Sequence, residues 1–138
     1  TADFRNGMPG MAHSGAARAG MSNLTMSAAF EWAHAGVRVN AVSPGWIASS
    51  GMDTYGGAVR GLIPKLKNHV PLRRLGVEAE VSAAMVFLLS PAAAFISGIT
   101  LQIDGAASLG NPMFPSLDHD TSQPFDGFHR AVTPEVLK

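Results

Sequence analysis

Within residues 11–26, MAHSGAARAGMSNLTM, a hydroxyl and a guanidinium stand four residues apart, at Ser14 and Arg18. On a helix that spacing puts both side chains on one face. Arginine is always charged and presents several hydrogen-bond donors, so it can hold hydroxyls or carbonyls of a ligand. Serine can hydrogen-bond a carbonyl, but it is too weak an acid to do proton chemistry without an adjacent base. His13 is the neighbour in sequence, yet successive helical residues do not face each other. The single tyrosine, Tyr55, lies in a glycine-rich stretch and could reach a ligand only if that stretch folded over the site. Asp118-His119-Asp120 offers metal-ligand residue types, but neighbours on a polar tail with no second cluster read as solvated, and no metal is expected. His34 stands where a helix would end and answers the helix dipole.

These groups must be positioned by regular structure. Ala17, Met21, Leu24, Ala28 and Trp32 recur at spacings of three and four, which predicts a helix over residues 14–34 with that stripe as its inner face. Gly36 then supplies the left-handed conformation that ends helices. Residues 37–43 alternate and are rich in β-branched side chains, so a strand is expected there, stopped by Pro44-Gly45. Between 46 and 75 glycines and prolines crowd the chain, leaving room for only a short helix near 63–68 and suggesting a functional lid. Gly76-Val77-Glu78 opens a second helix in which Val81, Met85, Leu88 and Leu89 share a face, and Ser90-Pro91 closes it. Residues 99–103 alternate as a strand ended by Asp104-Gly105, and from 106 onward an extended tail is expected.

Composition narrows the class. The 138 residues carry ten basic and ten acidic side chains, 46% hydrophobic residues and no cysteine. That balance describes one globular α/β domain with no basic stripe for nucleic acid. It leaves neither disulfides nor thiolate metal sites and fits a cytoplasmic, reducing setting. The apolar runs fall short of the roughly 20 residues that span a bilayer. The opening Thr-Ala-Asp reads as a cut rather than a natural start. Two helices and two strands are too few for a parallel sheet covered on both faces, so further strands are expected from outside the chain.

At this point the residues carry a family. Ala16-Ala17-Arg18-Ala19-Gly20, Asn23-Leu24-Thr25, Glu31-Trp32 and residues 37–45, VRVNAVSPG, resemble the C-terminal half of a short-chain dehydrogenase/reductase. Residues 71–76, PLRRLG, then Phe87-Leu88-Leu89-Ser90, Ile96-Ser97-Gly98 and Ile103-Asp104-Gly105 continue the likeness in order. The form His13-Ser14-Gly15-Ala16-Ala17-Arg18 is similar to the branch of trans-2-enoyl-CoA and 2,4-dienoyl-CoA reductases of peroxisomal type and of bacterial citronellol or citronellal dehydrogenase-like relatives. The resemblance implies the C-terminal portion of a Rossmann-type doubly wound parallel sheet, with the N-terminal half and its dinucleotide-cradling glycine turn absent. It implies that residues 1–110 belong to a dinucleotide-binding reductase domain and that 111–138 form a C-terminal tail.

The same resemblance assigns roles. The family carries a Tyr and, four residues later, a Lys on this helix; aligned on the Ala-Gly that follows, Ser14 and Arg18 fall at those catalytic positions. A register eight residues further on lands on Ser22 and Met26 and supplies neither residue. Arg18 is also expected to contact the cofactor, NADP or NAD. After the strand, Pro44, Gly45, the Ile47 backbone and Ser49 are expected to hold the nicotinamide carboxamide. On the loop itself, Trp46, Met52, Tyr55, Leu62 and Ile63 would line the substrate side of the lid and favour an apolar ligand.

The implied function is NAD(P)-dependent reduction of an enoyl-CoA or similar small-molecule acyl substrate by a soluble homo-oligomer that binds neither nucleic acid nor membrane. The alternative is a non-catalytic fragment or degenerate homologue that keeps the packing and lacks the Tyr/Lys pair. A structural partner that completes its sheet through another subunit is a third reading.

Overall fold

The computed structural model describes residues 9–110, 113–125, 127 and 132–138. By their contacts they fall into two compact units, Thr1–Ser43 with Ala84–Gln102 and Pro44–Ala83 with Ile103–Lys138. The chain therefore passes between units in β1 (Ala41–Pro44), in α3 (Glu78–Leu89) and in β4 (Thr100–Ile103). Strands β1 and β4 pair. Their ladder bonds, Ala41 N–H to Ile99 O at 2.9 Å and Gly45 N–H to Ile103 O at 3.0 Å, advance in step, so the two run parallel.

The first unit is built on α1 (Ala12–Glu31), followed by a 3-10 turn at Ala33–Ala35. The helix ends earlier than expected, capped at Trp32, and Gly36 at φ 74° closes the 3-10 turn instead, its N–H reaching Ala33 O at 2.9 Å. The helix is right, but of its expected inner stripe only Ala28 is buried. Met21, Leu24 and Trp32 are all more than half exposed, whereas Ser14, Thr25, Ala28 and Ala29 are buried. Small side chains win that face because they let the helix approach the neighbouring backbone closely. Thr100 Oγ1 lies 3.4 Å from Ser22 Oγ, and Gly98 leaves room for the Ala29 methyl.

The strand expected over 37–43 starts later, at Ala41. Residues 37–40 face the turn at 96–99, where side chains add to a single backbone bond, from Gly98 N–H to Val39 O at 2.7 Å. Asn40 Nδ2 donates to Ile96 O at 2.9 Å, Ile99 N–H donates to Asn40 Oδ1 at 3.3 Å, and Val39 N–H donates to Ser97 Oγ at 3.1 Å. Arg38 adds a bond to Ile96 O at 3.3 Å. The stripe expected to be inner on the second helix is also largely uncovered: Leu88 is buried, but Met85 is half exposed and Leu89 is 79% exposed. α3 is apolar around its whole circumference, so burying one line leaves the others in solvent.

In the second unit, residues 46–75 carry more regular structure than their breakers suggest. β2 (Ile47–Ala48) is followed by a 3-10 turn at Ser50–Thr54, α2 (Gly57–Leu62) and a 3-10 helix at Ile63–His69. Gly76-Val77 does not open the second helix. It forms β3 (Gly76–Val77), paired parallel with β2 in the register Ile47 to Gly76 and Ala48 to Val77. Glu80 accounts for the change, because its carboxylate accepts the Val77 N–H at 2.9 Å and caps α3 from within, leaving Gly76 to the strand.

β4 ends at Ile103, and the carboxylate of Asp104 just beyond accepts from Ala106 N–H at 2.9 Å and Ser108 N–H at 3.0 Å. The tail beyond is extended where described, apart from 3-10 turns at Ala107–Leu109 and Glu135–Leu137, and it is docked rather than free. His119 Nε2 bonds Pro71 O at 2.9 Å, and Arg73 Nε donates to Leu117 O at 3.0 Å.

Gly45 is required by close approach. A Cβ there would lie 2.7 Å from Asp104 Cβ and 2.8 Å from its Cα. Gly45→Ala should lower stability by roughly 1–3 kcal/mol, because backbone must shift. Gly76→Ala should cost less, since the one close contact of its Cβ is the flexible Cδ1 tip of Ile47 at 2.6 Å. Urea midpoints of the two variants check the order; equal losses would contradict it.

Candidate active site

α1 brings Ser14 and Arg18 into contact. The Arg18 guanidinium donates from Nη1 to Ser14 Oγ, and to Ser14 O at 3.3 Å. Ser14 is 8% exposed and Arg18 lies open to solvent, so the pair has a fixed inner member and an outward cation. The guanidinium occupies one lone pair of Oγ and leaves the hydroxyl proton free to be donated. His13 is exposed. In the register eight residues on, Ser22 is held by Thr100 Oγ1 and Met26 is half exposed, so no acid–base pair forms there.

The other expected site residues lie in the second unit, on the turn leaving β1. Pro44 closes the strand and Gly45 bonds back to Ile103 O. Trp46 O accepts the Gly76 N–H at 2.9 Å, and Ile47 sits in the β2–β3 pair. Ser49 is extended, at φ −131° and ψ 162°, and its carbonyl receives the Met52 N–H at 2.9 Å. Trp46 is half-buried and Tyr55 is 54% exposed, whereas Met52 is buried at 7% exposure and packs beneath the loop.

Two consecutive arginines, noted in the sequence only as part of a resemblance, organise this unit. Arg74 grips Glu80 with both terminal nitrogens, at 2.9 and 2.5 Å, and reaches the tail at Ser122 Oγ (2.9 Å) and Gln123 O (3.1 Å). Arg73, in a left-handed conformation at φ 57°, bonds Asn68 O at 2.7 Å and also the carbonyls of Ser116 and Leu117. Its Nε lies 3.6 Å from Asp118. In the Asp-His-Asp run, His119 is held on a carbonyl while the Asp118 side chain stays exposed beside Arg73. Among the described residues no group of three or more His, Cys, Asp or Glu is arranged to hold a metal ion.

Asp53 was also missed in the sequence. Its carboxylate takes the amides of Glu135 and Val136, at 3.1 and 3.0 Å. An acidic residue in a loop gives no local sign of a partner so far along the chain.

Comparison with known proteins decides the family. The family described as Enoyl-(Acyl carrier protein) reductase matches residues 2–108. The chain belongs to the short-chain dehydrogenase/reductase family. Citronellol catabolism dehydrogenase (AtuB) of Pseudomonas aeruginosa PAO1 is similar at 64% identity and TM-score 0.62, over 78% of this chain and 39% of that one. A short chain dehydrogenase of Bacillus anthracis str. 'Ames Ancestor' is 36% identical, with TM-score 0.65, over 78% of this chain and 41% of its own. Among curated proteins, the peroxisomal 2,4-dienoyl-CoA reductase, (3E)-enoyl-CoA-producing, of Pongo abelii is 36% identical over 72% of this chain and 34% of its own length.

This short-chain dehydrogenase/reductase chain spans about two fifths of the curated relatives it matches, from 34 to 43% of their length. The α/β fold with parallel strands is accordingly part of the Rossmann-like sheet of those structures. No helix among the described residues is long and apolar enough to cross a membrane.

Glu80 is the one described group with a resolved shift. Burial pushes its carboxyl up, but the Arg74 hydrogen bond, the Val77 amide, the Arg74 charge and the Phe125 amide together hold it below its ordinary value of 4.5. A carboxylate held low stabilises the fold above that ordinary value, and its contribution fades as pH falls through the lower folded one. Glu80→Gln should therefore cost about 2 kcal/mol at pH 7. The gap to the parent chain should narrow below pH 4.5. Denaturation midpoints against pH test this, and a gap independent of pH would refute the assignment.

Proposed function

We propose that the chain is the C-terminal portion of an NAD(P)-dependent oxidoreductase that reduces an enoyl-CoA or similar acyl substrate with an apolar chain. Residues 1–110 contribute to the dinucleotide-binding domain and 111–138 form its tail. The observation that carries this reading is the Ser14–Arg18 contact, on the helix where the family's proton-handling pair is expected. The citronellol catabolism relative, at 64% identity, and the dienoyl-CoA reductase support an apolar acyl or terpenoid chain as substrate.

The residues present fit a nicotinamide cofactor in part. In the first unit, Arg18 offers an exposed, permanently charged donor to ribose hydroxyls. In the second, the turn from Pro44 to Ser49 leaves the C-terminal end of a parallel strand, where ligands bind in open α/β sheets. There the Ile47 backbone and the Ser49 hydroxyl are suited to a carboxamide. The bound cofactor supplies hydride. Ser14 holds Arg18 in place and keeps a hydroxyl proton available to a substrate carbonyl, but without a base it does not transfer that proton. The proton donor then lies outside this chain. Trp46 and Tyr55 offer apolar surface to the substrate, while Met52 supports the loop from beneath.

The protein is read as cytoplasmic, binding neither nucleic acid nor membrane. The exposed apolar faces of α1 and α3, with Phe30 at 87% exposure, favour assembly as a homo-oligomer. The missing Tyr/Lys pair is what favours the competing reading of a chain that packs without catalysing.

Quenching of Trp46 fluorescence by NADPH and NADH, in a Trp32→Phe background, separates the two. Saturable binding in the micromolar range is expected, weakened about tenfold or more by Arg18→Ala. No saturation at millimolar cofactor would remove the cofactor site from this chain and favour the packing reading.

A further inference from the structure

Within the second unit, the C-terminal turn at Glu135–Leu137 has no side-chain cap from its own sequence neighbours. Its first amides are capped from across the unit by Asp53, with Oδ2 accepting from Glu135 at 3.1 Å and Oδ1 from Val136 at 3.0 Å. A carboxylate at the start of a helical turn satisfies otherwise orphaned amides and meets their partial positive charge. Pro134, just before the turn, is fully buried, and Met52 and Ile63 of the 3-10 segments that the turn contacts are buried at 7% and 3% exposure. Asp53 is bound on its other side too, because Arg60 of α2 donates to its carbonyl at 3.3 Å.

One residue thus ties the end of the chain to the loop between β2 and α2. We propose that residues 133–138 are a strap that fixes the loop of residues 50–62, and that Asp53 is the positioning residue through which the strap acts. The consequence for ligand selection rests on the reading given above, in which this loop borders the substrate: with the strap fastened, Met52 stays beneath the loop and Tyr55 on its surface. Releasing Asp53 lets the loop open and widens the range of acyl chains admitted. The strap itself is independent of that reading.

Hydrogen exchange of the whole chain, with no ligand, tests it. Asp53→Ala should speed exchange of amides in residues 52–62 by roughly tenfold, the effect of losing a hydrogen bond of ordinary net strength, while the amides of α1 keep their rates. Asp53→Asn, which retains one carbonyl acceptor, should fall between. Trypsin should cut Asp53→Ala faster at Arg60, Lys65 and Lys67. A chain ending at Thr133 should behave like Asp53→Ala; if it does not fold, the point variants decide. Unchanged exchange in the loop of Asp53→Ala, or equal acceleration in the loop and α1, would overturn the strap. Failure of NADPH to bind would overturn the reductase reading and leave this result standing.

Discussion

The parallel pairing of β1 with β4 is the constraint on which the structure turns. Two parallel neighbours cannot be joined by a tight hairpin, so the chain between them must leave the sheet and return. Residues 45–99 make that crossing, and the loop, β2, α2, β3 and α3 all lie within it. Where β1 ends, Gly45 lies so close to Asp104 that no side chain fits, and the chain swings away into the turn carrying Pro44, Ile47 and Ser49. The path of that turn thus follows from strand pairing.

A second theme is the exchange of faces on α1. Its large apolar residues look like the inner stripe, yet the line of Ser14, Thr25, Ala28 and Ala29 is buried. Close approach to a β backbone rewards small side chains, because van der Waals contact is made along the main chain itself. This choice also fixes the candidate site, since it turns Ser14 inward and leaves Arg18 open to a ligand. The large side chains of the same helix, Phe30 above all, remain as surface that another layer of structure could cover.

Polar interactions hold the second unit where the apolar core is thin. Arg73 and Arg74 spend most of their donors on carbonyls and on Glu80, and three of those carbonyls, with the Ser122 hydroxyl, belong to the tail. Guanidinium suits the task because its planar fork reaches several oxygens at once. Asp53 does the converse, using one carboxylate to take two amides of the C-terminal turn. The tail is therefore docked by hydrogen bonds to specific residues, with Pro134 as a buried apolar anchor.

By itself the sequence determined the existence of α1 and α3, the left-handed glycine turn that follows the first, the strands near 41 and 100, and the family to which the chain belongs. Each is written in local periodicity, in turn chemistry or in motifs that survive without knowledge of neighbours. Only the tertiary structure decided which face of α1 is covered, because a helical period fixes a spacing and not a partner. It also decided that Gly76-Val77 is a strand, since a two-residue ladder needs Ile47-Ala48 beside it. The union of Asp53 with the C-terminal turn, and of Arg74 with Glu80 and the tail, was invisible for the same reason. Such pairs join residues far apart in the chain, and no local pattern of types or spacing records which charge will meet which amide once the backbone has folded.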